Sequence, residues 1–294
     1  MDKSAGLHHH FGRGRAGRRG RDGSVQGGSG QGGSVQGAAG RTAGLGGAEA
    51  LALVSVPDRA ALLAALADCL AAGRGFAVAT LNLDHIVKLG RDPAFAAAYR
   101  AQSHVVADGH PVVWLRRLAG RPVALVPGSE LIAPLAALAA AAAAPVAFLG
   151  SREAVLAAAG ARLAADHPGL RIAAAVAPPM GFDPEGPEAD AALDRLAAAG
   201  ARLVFLALGA PKQERLAARG LARHPGMGFV SIGAGLDFIA GHQRRAPRWV
   251  RRLALEWLWR MATDPRRLAA RYAACLAALP GLALAARGMR QGGK

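Results

Sequence analysis

Four polar clusters carry the residue types that could do chemistry in this chain, and each follows directly after a short apolar run. They consist of Thr80, Asn82, Asp84 and His85; of Asp108 and Gly109; of Gly209, Pro211, Lys212, Gln213 and Glu214; and of Gly233, Gly235 and Asp237. A carboxylate can act as a general base, and backbone N–H groups at a helix start can bind phosphate. Each cluster alone also fits an ordinary helix cap or turn.

The elements that must position these clusters begin at about residue 48, where short apolar runs start to alternate with helix-period segments. This alternation predicts an α/β fold with a doubly wound, mostly parallel, Rossmann-like sheet and helices on both faces. In such a sheet the clusters meet beyond the carboxyl ends of the strands, where ligands bind. We predict strands at 51–56, 76–81, 104–107, 123–126, 145–150, 171–176, 202–209 and 228–233.

Composition divides the chain into four segments. Residues 1–47 form a Gly/Ser/Arg-rich tail that we expect to be disordered, because it cannot bury enough apolar surface to offset the entropy of ordering. Residues 48–242 form the α/β core, residues 243–280 a helical appendage rich in Arg and Trp, and residues 281–294 a flexible C-terminus. We expect the core to fold without residues 243–294.

The positive charge lies at the two ends of the chain. The net charge is +16; residues 243–294 carry twelve Lys/Arg against two acidic residues, and residues 1–46 carry seven against two. Such a surface suits nucleic acid or an anionic membrane. Arginine beside tryptophan, as around Trp249 and Trp257, favours the lipid headgroup layer. We therefore predict that the appendage associates with an anionic membrane surface.

No membrane span, no secretory signal and a reducing compartment are predicted for this chain. The charge-free stretch 131–150 is interrupted by Pro134 and Pro145, so it predicts a helix followed by a strand rather than a membrane span. The first residues contain no apolar segment of a secretory signal. Cys69 and Cys275 lie in apolar helical patterns and are expected to be buried free thiols in a reducing compartment.

Several of these motifs together resemble the WecG/TagA/CpsF family of bacterial glycosyltransferases. The resemblance covers roughly residues 50–275 and is carried by Thr80–Asn82–His85, ALGAPKQE, GAGLDFIAG, RRAPRW and LEWLWRMATDPRRLAARY. It implies transfer of a sugar from a UDP-sugar to a polyprenyl-diphosphate-linked acceptor, with inversion of the anomeric configuration. It also implies that the protein lies in the cytoplasm, peripherally on the inner face of the cell membrane. It also implies that no metal or other cofactor takes part. The sequence contains no D-x-D motif that would suggest a metal clamp.

The resemblance also implies roles for individual residues. Those expected to bind substrate are Thr80, Asn82, Asp84, Gly109, Gln213, Arg245, Arg260, Arg267 and Arg271, with the arginines closing over the site when the appendage docks on the membrane. Those expected beside the nucleotide are Gly209, Pro211, Lys212, Gln213, Gly233, Gly235 and Asp237. An inverting transfer needs one carboxylate to deprotonate the acceptor hydroxyl. Asp108 is predicted to be this base because Gly109 keeps its approach open.

Some features depart from the family pattern or leave alternatives open. The chain has Ala124 and Glu130 where the family commonly has arginine and aspartate, and this leaves the donor sugar undetermined. The basic ends also fit a nucleic-acid-associated protein, although no known nucleic-acid module is present and no specific nucleic-acid partner is predicted. A dehydrogenase is disfavoured because no glycine fingerprint follows the first strand. A homo-oligomer is left open.

Overall fold

Six parallel strands form a single sheet at the centre of the protein. The computed structural model describes residues 44–242, 247, 258–259, 261 and 265–292. The strands in this part of the chain are β1 Phe76–Leu81, β2 His104–Ala107, β3 Val146–Gly150, β4 Ile172–Val176, β5 Leu203–Ala207 and β6 Gly228–Ser231. Their order in the sheet is β2-β1-β6-β5-β3-β4, and every neighbouring pair is parallel. The predicted doubly wound α/β fold is confirmed.

Helices cover both faces of the sheet. They are α1 Gly47–Ala52, α2 Arg59–Ala71, α3 Leu83–Leu89, α4 Pro93–Arg100, α5 His110–Leu118, α6 Ile132–Ala141, α7 Glu153–Asp166, α8 Pro187–Ala198, α9 Lys212–Arg223, α10 Gly235–Ile239 and α11 Pro265–Gln291, with a 3-10 turn at Gly128–Glu130. Leucines of α2, α6 and α7 pack with alternate residues of the strands on one face, and α8 and α9 cover the other face. Near β1 and β2 this second face is covered by α1, α4, α5 and α11.

The strands predicted at 51–56 and 123–126 are wrong. Leu51 and Ala52 form the end of α1, and the remaining residues of 51–56, like those of 123–126, make only isolated hydrogen bonds to β2. The Val56 N–H donates to a β2 carbonyl at 3.1 Å, and the Val126 N–H donates to another at 2.8 Å. Both valines are buried, so the apolar character of these runs comes from covering the edge of the sheet rather than from extending its ladder.

Two other predictions from the sequence are confirmed. The stretch 131–150 contains α6 and then β3, and most of its apolar residues are buried in the core, as expected for a segment that does not cross a membrane. Cys69 and Cys275 are buried free thiols. The core of this helix-rich protein therefore absorbs the longest uncharged stretch of the chain.

The C-terminal helix α11 is part of the core as well as of the surface. It continues through Pro280 to Gln291, beyond the boundary predicted at 280. It packs against α1, α3 and α5, and Leu282 and Ala286 are buried in a cluster with Leu51. Removing residues 243–294 would expose this cluster, so the expectation that the core folds without them stays a prediction that a deletion variant would test.

The same helix has an apolar side that no described residue covers. Its segment Leu268–Gln291 is long and apolar enough to cross a membrane, judged by length and composition alone. Only a minority of that segment is buried, and the side chains of Leu276 and Leu284 are 55% and 68% exposed. One face of α11 therefore packs on the protein while the other presents alanine and leucine outward.

Gly220 in α9 tests the close packing of this helix on the sheet. A Cβ at that position would lie 2.5 Å from Phe229 Cζ and 3.0 Å from Leu193 Cδ2. Gly220→Ala should therefore lower the free energy of unfolding by about 1–3 kcal/mol, measured by urea denaturation, because the core would be overpacked. Gly281→Ala in α11 is the control, since no described atom lies within 4 Å of a Cβ there. Equal destabilisation of both variants would contradict this account.

Candidate active site

The four polar clusters lie at the carboxyl edge of four neighbouring strands, β2, β1, β6 and β5. The Asp108 N–H donates to the Leu81 carbonyl at 2.8 Å, so the cluster after β2 lies directly beside the one after β1. The Gly233 N–H donates to Gln213 Oε1 at 3.0 Å, which joins the clusters after β6 and β5. Neighbouring strands are about 4.8 Å apart. The structure thus brings all four clusters to one rim of the sheet, which we call the carboxyl rim.

Asp108 stands at the end of β2, where α5 begins. The residue is half-buried, and Gly109 directly after it has a φ of 96°, in the left-handed region that favours glycine. Tyr99 lies near this carboxylate. Burial raises the pKa of Tyr99 well above its usual value, and the charges of Glu214 and Asp108 raise it further. Tyr99 is therefore a protonated hydroxyl throughout the physiological range.

Thr80 and Asn82 are held by backbone contacts around the end of β1. Asn82 caps α3, with its Oδ1 accepting the N–H of His85 at 3.0 Å. Thr80 is buried beneath the 3-10 turn, because a Cβ on Gly128 would lie 3.3 Å from Thr80 Oγ1. The structure therefore places Asn82 at the rim and Thr80 just below it.

His85 forms a buried hydrogen-bond chain with Tyr99. The Tyr99 hydroxyl donates to the Thr80 carbonyl at 3.1 Å and lies 2.7 Å from His85 Nδ1. Because the single hydroxyl proton is used on the carbonyl, His85 Nδ1 must carry the ring proton and donate to the tyrosine oxygen. Burial lowers the pKa of His85 to about 4, so the imidazole is neutral.

Asp84 connects the rim to the C-terminal helix. Lys88 Nζ lies 2.8 Å from Asp84 Oδ2, and Arg271 Nη1 of α11 lies 3.9 Å from the same oxygen. Lys88 Nζ also donates to the Ala210 carbonyl at 3.5 Å, in the loop after β5. Two cations thus share one carboxylate here. Of the other predicted arginines, Arg245, Arg260 and the side chain of Arg267 lie outside the described residues.

The loop after β5 leads into the first turn of α9. Gly209 has a φ of 73°, and the peptide bond before Pro211 is cis. Lys212 Nζ donates to the Phe182 carbonyl at 2.6 Å, which anchors its ammonium to the loop after β4. The side chain of Gln213 is buried, and its hydrogen-bond partners in the described structure are Glu214 and the Gly233 N–H.

Glu214 is a buried carboxyl for which residue type and spacing predicted only a place in an ordinary first helical turn. Gln213 Nε2 donates to Glu214 Oε1 at 2.8 Å. Burial raises the pKa of Glu214 to about 7, and the hydrogen bond from Gln213 partly opposes that shift. An acidic residue in a first helical turn is common, so its type and position alone do not indicate a special role. The only feature of the sequence that could have pointed to such a role was its place next to Gln213.

The three residues predicted after β6 have different surroundings. Gly233 has a φ of 54°, and no described atom lies within 4 Å of a Cβ there. Gly235 is packed against α6, since its Cβ would lie 2.5 Å from Ile132 Cδ1. Asp237 Oδ2 accepts a hydrogen bond of 3.5 Å from Ser151 Oγ, at the end of β3. Gly233 thus leaves space at the rim, whereas Gly235 allows close packing.

Two further observations concern the residue at position 130 and metal binding. Glu130, where the chain departs from the family pattern, forms an ion pair of 2.8 Å with Arg59 at the start of α2. Among the described residues, no three His, Cys, Asp or Glu side chains are grouped so that they could hold a metal ion.

His85 and Glu214 should give the protein opposite pH dependences of stability. Between pH 4 and 6.5 the unfolded chain binds a proton at His85 that the folded protein excludes, so the free energy of unfolding rises with pH. Between pH 4.5 and 7 the folded protein keeps a proton on Glu214 that the unfolded chain has lost, so the free energy falls with pH. Each contribution is at most about 3 kcal/mol.

Single variants should separate these two contributions. We expect Glu214→Gln to gain stability as the pH rises from 4.5 to 6.5, because only the His85 contribution remains. His85→Gln should lose stability over the same range, because only the Glu214 contribution remains. Urea denaturation at several pH values measures both slopes, with the wild type between them. Parallel curves for the two variants would show that these buried groups do not titrate as described.

Comparison with known families accounts for this arrangement. The model of the Glycosyl transferase WecG/TagA/CpsF family matches residues 51–292. This range includes all six strands, the carboxyl rim and helix α11, and it extends the resemblance based on motifs to the end of that helix. The match covers far more than half of the chain, and the chain therefore belongs to the WecG/TagA/CpsF glycosyltransferase family.

Proposed function

We propose that this glycosyltransferase moves a sugar from a UDP-sugar to a polyprenyl-diphosphate-linked saccharide, with inversion and without a metal. The product would serve exopolysaccharide or cell-wall polymer synthesis. The observation that carries the proposal is the position of Asp108 at the carboxyl rim, beside Asn82 and on the same rim as the loops after β5 and β6. These loops are open at Gly209 and Gly233 as far as the described residues extend.

The proposed reaction needs a base on one side of the sugar and a stabilised leaving group on the other. Asp108 takes the proton of the acceptor hydroxyl as its oxygen bonds to the anomeric carbon. The bond from that carbon to the phosphate oxygen breaks at the same time, and UDP leaves with the electron pair. A displacement of this kind requires one carboxylate as the general base.

The leaving diphosphate gains negative charge and needs a positive environment. Backbone N–H groups at the start of α9 offer neutral donors, and the open turn at Gly233 leaves room for the diphosphate. Lys88 and Arg271 offer cationic charge, since two cations are balanced there by Asp84 alone among the contacts described. Arg271 reaches the rim from α11, so the C-terminal helix would contribute directly to donor binding. Arg245, Arg260 and Arg267 are proposed to join it.

Helix α11 is also proposed to hold the enzyme on the inner face of the membrane. Its outer side presents Leu276 and Leu284, and α5, which packs against α11, carries Trp114 with 57% of its surface exposed. An exposed tryptophan beside an apolar helix suits the interface between lipid tails and headgroups. Asp108 lies at the rim, two residues before α5 begins at His110. Docking of α5 and α11 on the membrane would therefore bring a lipid-linked acceptor near the base.

Asp108→Asn tests the proposed base. The amide has the same shape but cannot take a proton, so kcat should fall by about 10²–10⁴-fold. UDP binding should stay within about twofold of wild type, because the charge of the base is not needed to hold the nucleotide. UDP release with a short-chain polyprenyl-diphosphate acceptor measures the first effect, and calorimetry measures the second. Asp166→Asn on the outer surface of α7 is the control. Full activity of Asp108→Asn would refute the assignment.

The double variant Leu276→Gln/Leu284→Gln tests the membrane surface. Two apolar side chains would no longer enter the lipid, so the partition constant for anionic vesicles should fall by at least about tenfold. Thermal stability should not change, because both side chains are exposed. Met180→Gln is the matched control, since Met180 is fully exposed but follows β4 at the opposite edge of the sheet. Vesicle sedimentation equal to that of wild type would exclude this face of α11.

A further inference from the structure

Gln213 and Glu214 form a buried pair whose hydrogen bonds fix the orientation of a carboxamide. Their exposed fractions are 3% and 0%. Gln213 Nε2 donates to Glu214 Oε1 at 2.8 Å, and Gln213 Oε1 accepts the Gly233 N–H at 3.0 Å. The two ends of a carboxamide have the same shape, so only hydrogen-bond partners distinguish them. The Glu214 oxygen needs a donor and the Gly233 N–H needs an acceptor, which leaves a single orientation that satisfies both.

This orientation links two loops of the carboxyl rim. Gln213 lies in the first turn of α9, after β5, whereas Gly233 begins the loop between β6 and α10. The Gly233 backbone has a φ of 54° and no described neighbour where a side chain would be, so local packing does not hold it. If the carboxamide turned over, its NH₂ group would face the Gly233 N–H, and the hydrogen bond to the Gly233 loop would be lost.

The stability of the fold does not explain a carboxyl group at position 214. Glu214 Oε2 is buried, and among the described residues it has no hydrogen-bond partner. Burying such a group costs several kcal/mol, and a hydrocarbon side chain of similar size would fill the position more favourably. The packing of α9 therefore gains nothing from the acid. What the acid supplies is the acceptor for Gln213.

We propose that Glu214 is a positioning residue for sugar transfer. Acting through Gln213, it holds the Gly233 loop in the shape that receives the donor diphosphate. This inference rests on the proposed function, in which that loop and the start of α9 bind the nucleotide. Glu214 itself does not touch the substrate, because its side chain is fully buried.

Two substitutions of Glu214 distinguish positioning from packing. Glu214→Leu keeps the size but removes the acceptor, so kcat/KM for the UDP-sugar should fall by at least about tenfold, equivalent to about 1.4 kcal/mol. KM for the lipid-linked acceptor should not change. Glu214→Gln keeps an acceptor oxygen, so its kcat/KM should stay within about threefold of wild type. Equal losses in the two variants, or full activity in Glu214→Leu, would overturn the proposal.

Gln102→Leu is the matched control for an effect on helix packing alone. Gln102 Nε2 donates to the backbone carbonyl of Glu214 at 3.1 Å and is also buried, but it does not contact the Gln213 carboxamide in the described structure. Its loss should lower the melting temperature and leave kcat/KM for the UDP-sugar unchanged. A loss of donor kcat/KM equal to that of Glu214→Leu would show that Glu214 acts only through the stability of α9.

Amide hydrogen exchange at Gly233 tests the proposal independently of activity. In Glu214→Leu this amide should exchange at least about tenfold faster than in wild type, whereas in Glu214→Gln it should keep its protection. Unchanged protection in Glu214→Leu would overturn the proposal. If the wild type released UDP from no UDP-sugar, the proposed function would fail, yet the exchange rates would still decide whether Glu214 orients Gln213.

A second comparison applies if Glu214→Leu does not fold. Gln213→Ala and the double variant Gln213→Ala/Glu214→Ala should be equally impaired in donor kcat/KM, because Glu214 has no carboxamide left to orient. A further loss in the double variant would show that Glu214 acts by another route.

Discussion

Parallel pairing of β2, β1, β6 and β5 is the constraint on which the site depends. Because these strands run in the same direction, the residue after each strand emerges at the same rim, at intervals of one strand spacing. The hydrogen bond from Asp108 to the end of β1 and the one from Gly233 to Gln213 fix neighbouring loops to each other. A carboxylate and two glycine-containing turns are thereby held together without a dedicated scaffold of their own.

The C-terminal helix α11 combines core packing, a cation at the carboxyl rim and an exposed apolar surface. Its inner side completes the core through Leu282 and Ala286, and Arg271 reaches Asp84 at the rim. Its outer side, with Leu276 and Leu284, is apolar and exposed. A surface that docks on lipid and a cation that meets the donor would therefore belong to one rigid helix. Membrane association and donor binding can be coupled through it without any additional element.

Beneath the rim lies a set of buried polar groups that are costly for stability. His85 is kept neutral with a pKa of about 4, and burial raises the pKa of Glu214 to about 7. Each is oriented by one strong hydrogen bond, to Tyr99 and from Gln213 respectively. Buried polar groups that specify an orientation rather than add stability are common where a protein must hold a loop in one geometry.

The sequence by itself determined the fold class, six of the eight predicted strands and the grouping of the polar clusters, because alternating periodicity and residues after strand ends are local signals. It could not distinguish the buried edge segments around Val56 and Val126 from strands, since both are short apolar runs. Only the tertiary structure decided that α11 belongs to the core, that Asp84 meets Arg271, and that Glu214 orients Gln213. These contacts join residues distant in the chain or depend on burial, and neither can be inferred from residue type and spacing.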